Sequence, residues 1–124
     1  MAKTAQTAYG AQSSTIRTDR AVEYDAFSRV TGRLSAAARR EDDEAFSDLC
    51  TVLHENRRLW TVIALDVAGD GNRLPDDLRA RLLYLARFTD QHTSKVMARA
   101  ADPAVLIDIN TAVMRGLAGQ GAGA

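Results

Sequence analysis

From Ala45 to Val67 apolar residues return at three- and four-residue steps: Ala45, Phe46, Leu49, Val52, Leu53, Leu59, Trp60, Ile63, Ala64 and Val67. That spacing gathers them on one face of an α-helix, predicted from about residue 43 to 68, and on no face of a strand. The run stops at Gly69, a residue suited to the position just past a helix end. After the turn residues Asp70, Gly71 and Asn72, a second run opens at Leu74-Pro75-Asp76-Asp77. Proline fits the first helical position and acidic residues favour the first turn, where the helix dipole is positive. Two helices joined by so short a turn lie antiparallel. That constraint commits the chain to a helical bundle.

The remaining sequence extends the same pattern. Tyr24, Phe27, Val30, Thr31 and Leu34 form the stripe of an earlier amphipathic helix, with Thr18 as its expected N-cap and Asp19 in its first turn. The helix after Pro75 carries a main stripe of Leu78, Leu82, Leu85, Thr89, His92 and Val96. Tyr84 and Phe88 lie to one side of that stripe, and Leu83 and Met97 to the other. This helix is therefore apolar over more than half its circumference, as a central helix or one awaiting a partner would be. Asp102-Pro103 repeats the start signal for a last helix, striped by Leu106, Ile109, Asn110, Val113, Met114 and Leu117. The expected fold is all-α: about four helices in a small bundle over 18–118, with flexible tails at 1–17 and 119–124.

Composition narrows the function. The 124 residues carry 16 basic and 16 acidic side chains, a net charge of zero. Nucleic-acid binding draws on a basic face that neutralises phosphates, so direct binding is not expected. The single cysteine, Cys50, excludes an internal disulfide and suits a reducing compartment. No apolar run reaches membrane-spanning length, and "MAKTAQTAYGAQSSTIRT" lacks the apolar centre of a secretory signal. A cytoplasmic location is expected.

Convergent reactive groups are scarce. "HENRR" begins like a zinc-protease helix but has no second histidine four residues on, so it is not a zinc site. The acidic run "EDDE" at 41–44 reads as a helix N-terminus rather than a metal cluster. No phosphate loop or nucleophile elbow is present, and "GDGN" is a turn. The expectation is a non-enzyme without cofactor or metal.

What stands out instead are polar residues set into apolar stripes: Asn56, Thr89, His92 and Asn110. Buried amides and imidazoles need partners, at about 1–3 kcal/mol for each group left unmatched. They read as a hydrogen-bond network fixing helix register, with Asn56 meeting His92 or Asn110 and Trp60 packing beside it. A groove receiving a partner peptide is compatible with such a network.

The segments "EYDAFSRVTGRL", "NRRLWTVIALDVA", "GNRLPDDLRARLLYLARFTDQHT" and "LIDINTAVMRGLAG" stand in the order and spacing of a known family. With the "AY" at Ala8-Tyr9, they make nearly the whole chain resemble the alphaproteobacterial FlaF family of flagellar biosynthesis regulators. The resemblance implies a cytosolic accessory factor for flagellin synthesis or secretion. It also implies flagellin as a direct partner, and FlbT, a regulator of flagellin messenger RNA, as an associate.

Flagellin ends are amphipathic helices that pack only in the filament, so an export chaperone or adaptor would cover their apolar faces by helix-in-groove binding. The candidate surface is Tyr84 and Phe88 with Leu83 or Met97, and Trp60 is a further candidate contact. A homodimer seam competes for the same surface. A rival from another class is a regulator acting on flagellin messenger RNA, directly or through FlbT. Its basic path would be Arg57, Arg58, Arg79, Arg81 and Arg87.

Overall fold

The computed structural model describes residues 23–123, with side chains through Gly116. The tail expected over 1–17 and the helix start at Thr18 and Asp19 lie outside the described residues. Within them stand four helices and no strand: α1 over 23–38, α2 Ala45–Ala68, α3 Asp76–Met97 and α4 Ala104–Gly123. The tail boundary drawn at 119 from glycine content falls inside α4, whose backbone stays helical to Gly123.

Pairings between helices fix the topology. Arg40 meets Asp48 at 2.5 Å, Arg33 pairs with Glu55, and the Phe27 ring meets the Trp60 ring edge-on, so α1 and α2 run antiparallel. The α2 and α3 pair is also antiparallel. Near its middle, the Arg57 guanidinium donates to the Asp90 carbonyl at 2.9 Å and to Ser94 Oγ at 2.8 Å. Near its end, Arg79 Nε donates to the Val67 carbonyl at 2.8 Å. Leu106 at the start of α4 packs with Leu49, Val52 and Leu53, whereas Ile109, Val113 and Met114 pack with Trp60, Ile63 and Val67. Hence α4 runs parallel to α2. Among the described residues these two helices meet through side chains and not through close backbone approach, as diagonal members of an up-down-up-down bundle do.

The helix ends follow local chemistry, though not always where sequence places it. Asp42 accepts the Glu44 amide at 3.2 Å and Asp102 accepts the Ala104 amide at 2.8 Å, so each acid opens the helix that follows it. Gly69 closes α2 in an extended conformation (φ −76°), not the left-handed one that would require glycine. Among the described residues the left-handed one is Arg99 (φ 61°), at the end of α3. There the Ala100 amide reaches back to the Lys95 carbonyl at 2.8 Å, and the Arg99 amide to Val96 at 2.9 Å. This is the Schellman pattern. A side chain in that conformation costs roughly 1–2 kcal/mol. The Arg99 guanidinium, 3.7 Å from the Phe46 ring centroid, supplies an offsetting cation–π contact of about 0.5–1 kcal/mol.

The last turn of α2 is closed from outside by Arg79, which also reaches the Gly69 carbonyl at 3.4 Å. The Val67 carbonyl has no partner inside the helix, whereas the Gly69 carbonyl also accepts from the Asn72 amide at 3.2 Å, and a cation there complements the negative end of the dipole. Arg79→Met, which keeps the aliphatic stem, is expected to cost about 1–2 kcal/mol in urea denaturation. A loss below about 0.3 kcal/mol would show that water serves those carbonyls equally well.

At the opposite end, hydrogen bonds from Arg40 hold the exposed Asp42 carboxyl down to about 2 from its usual 3.8. A carboxyl with a lowered folded-state pKa stabilises fully above its unfolded value and loses that contribution as pH falls through the folded one. The amide resonances of Glu44 and Ala45 should therefore stay native-like at pH 4 and shift as pH drops through about 2.

Candidate functional site

Among the described residues five buried polar side chains interrupt the apolar interior: Thr31, Asn56, Thr89, Thr93 and Asn110, each no more than 7% exposed. On one side of them lies a core built on Val30, Leu34, Leu53, Val96 and Leu106. On the other lies a core of Phe27, Trp60, Ile63 and Val67. Asn110 is the hub of this layer. Its Oδ1 accepts from Trp60 Nε1 at 2.9 Å, and its Nδ2 donates to Asn56 Oδ1 at 2.8 Å and Thr31 Oγ1 at 3.1 Å. The orientation of both amides follows from Trp60. An indole N–H can only donate, so Asn110 must turn its oxygen toward Trp60 and its NH₂ toward Asn56, which must then present oxygen.

Among the described residues two polar atoms of the layer have no hydrogen-bond partner, Asn56 Nδ2 and Thr89 Oγ1. Thr93 Oγ1 donates to the Thr89 backbone carbonyl at 2.6 Å and not to the Thr89 hydroxyl.

Thr89 also forms part of a groove of about 280 Å³ between α2 and α3. Trp60, Ala64 and Ala86 line it with Thr89, and Leu65 and Leu83 form its apolar walls. Those walls face solvent, with Leu65 70% and Leu83 37% exposed, and Val62 beyond them is 59% exposed. Arg57, whose Nε lies 2.9 Å from Asp90 Oδ1, borders the groove, and so does Arg87. Among the described residues no carboxylate pairs with Arg87.

The structure brings some of the residues singled out by sequence together and separates others. Asn56 and Asn110 meet directly. His92 does not join them; its Nε2 lies 2.9 Å from the Asp102 carbonyl, and its ring stacks on Phe88 at 5.4 Å between centroids. Thr89 lies in the polar layer but outside the bonded network. Trp60 and Leu83 share the groove. Tyr84, 66% exposed, and the half-buried Phe88 are not among the groove residues. Met97 packs against the first core, because the antiparallel turn brings Ala101 and Ile107 onto the same cluster. It is therefore not a free surface residue.

Sequence reading missed Thr31 as a network member, and it did not join Leu65, Ala64, Ala86 and Arg87 into one groove, although Ala64 stood in the α2 stripe and Arg87 in the basic path. A signal for an exposed apolar surface was present in Leu65, a groove wall, and in Val62, which lies outside the groove. They are large apolar residues off the main stripe of α2, where a solvated helix face would carry polar ones.

The described residues include no helix long and apolar enough to cross a membrane. A family model described as "Flagellar protein FlaF" matches residues 5–117. No curated protein and no solved structure matches the chain.

Proposed function

This chain belongs to the FlaF family of flagellar proteins, and on that premise we propose that it is a non-catalytic, flagellin-binding export chaperone or adaptor. In this reading it works in the cytoplasm and covers an amphipathic terminal helix of flagellin before export. The observation that carries the reading is the α2–α3 groove, open to solvent between the exposed Leu65 and Leu83 and floored by Trp60. An apolar helix ridge seated there would remove those walls from water, at roughly 25 cal/mol per Å² of apolar surface covered. The groove replaces the Tyr84–Phe88 side of α3 as the first candidate surface.

The rival reading, a regulator of flagellin messenger RNA, draws on the arginines near this face. Arg57 and Arg79 are engaged in joining α2 to α3, which leaves a thinner basic path. Action through FlbT needs no such path and stays the stronger form of that rival.

Calorimetric titration with monomeric flagellin at several salt concentrations separates the readings. Groove binding is expected to keep its affinity within about threefold between 50 and 500 mM salt, because apolar burial is not screened. Absence of flagellin binding, together with RNA binding that falls steeply with salt, would establish the rival.

A further inference from the structure

We infer that the apolar ridge of Val62 and Leu65 on α2 is a docking surface for this chain's own N-terminal segment, residues 1–22. The inference does not rest on the flagellin-binding reading, and its test needs this protein alone.

The two ridge residues stand three positions apart and so share one face of α2. Leu65 is 70% exposed and Val62 59%. Both lie off the buried stripe of the helix, and large apolar neighbours on one solvent-facing strip mark a contact surface.

Helix register puts the entry of the chain beside this ridge. Phe27 lies against Trp60, Arg33 pairs with Glu55, and Arg40 pairs with Asp48. Each step back along α1 is therefore a step forward along α2. Glu23, the first described residue of α1, stands level with Ala64 and Leu65. Residues 1–22 join the bundle at that level. Ile16, seven residues ahead of Glu23, lies within about 25 Å of it even at full extension. A tether that short presents the segment at millimolar effective concentration, an advantage no separate partner has.

The chemistry of the segment matches. Tyr9 and Ile16 supply apolar side chains, and Lys3, Arg17 and Arg20 outnumber Asp19. The stretch 66–77, which follows the ridge, carries Asp66, Asp70, Asp76 and Asp77 against Arg73. With Ile16 over Leu65, Arg17 comes within reach of Asp66, so apolar and charged groups find partners together. The family match, moreover, begins at residue 5 and not at α1, so the pattern shared by the family includes this segment.

The test uses the full-length protein with a nitroxide attached at Ser14→Cys in a Cys50→Ser background, and reads methyl resonances. Val62 and Leu65 are expected to lose more than about half their intensity, and Val105, at the far end of the bundle, much less. Tyr9→Ser with Ile16→Ser should restore most of the lost intensity, since the tether remains but the docking side chains are gone. Leu65→Asp removes the surface instead and should restore Val62 in the same way.

Equal broadening with and without Tyr9 and Ile16 would mean that the tether alone brings the label near, and would overturn the inference. Broadening of Val62 and Leu65 in isotopically labelled protein mixed with separate nitroxide-bearing copies would assign the ridge to a second copy and overturn it as well.

Discussion

Asn110→Leu is expected to destabilise the protein by about 3–5 kcal/mol, whereas Asn56→Leu should stay within about 1 kcal/mol of wild type. Both residues are fully buried, and both substitutions exchange an amide for a side chain of similar size. They differ in what they leave behind. Losing Asn110 strips partners from Trp60 Nε1, Thr31 Oγ1 and Asn56 Oδ1 at once. Losing Asn56 leaves one Asn110 N–H without its acceptor, but it also removes the Asn56 Nδ2 that had no partner, and Asn110 still donates to Thr31, so the two changes largely offset. Against a total stability of about 5–15 kcal/mol for a domain, the first change is severe and the second tolerable. Urea denaturation with matched slopes reads the contrast directly. Equal losses would mean that the layer acts through packing volume, not through the hub at Asn110.

The second large effect concerns the surface. Leu65→Asp with Leu83→Asp is expected to weaken flagellin binding at least a hundredfold, since two carboxylates would have to be buried against an apolar ridge. Stability should change by less than about 1 kcal/mol, because both side chains already face water. Tyr84→Ala with Phe88→Ala serves as the comparison, placed on α3 outside the groove. That pair should leave affinity within about threefold. Calorimetry on the two double variants decides between the surfaces, and the reverse ranking would return the binding site to Tyr84 and Phe88.

The fold was largely legible because its signals are local. Apolar spacing at three and four residues, Pro75 and Asp102-Pro103 mark helices that the structure places within a few residues of expectation. The closure of α2 was less legible, since Arg79 supplies it from across a turn, and the left-handed Arg99 carries no glycine to announce it.

The candidate site shows the same division. Asn56 and Asn110 were recognisable as amides within apolar stripes, but periodicity gives no azimuth of one helix about another. It therefore could not tell Asn110 from His92 as the partner. Only the diagonal placement of α2 and α4 brings the two amides together, and only the donor-only indole of Trp60 fixes which way they face. The groove depends on which off-stripe residues of two helices converge. Leu83 was singled out on α3, but Leu65 on α2, legible as an apolar residue off its stripe, became a groove wall only once α3 stood beside it.

The central claim is most directly tested by mixing the full-length protein with monomeric flagellin at physiological salt and measuring mass by size-exclusion chromatography with light scattering. A single species at the summed mass of one copy of each is the expected result. Two separate peaks, with this protein alone running as a dimer, would contradict it, assign the apolar walls of Leu65 and Leu83 to self-association, and move the regulatory reading to the front.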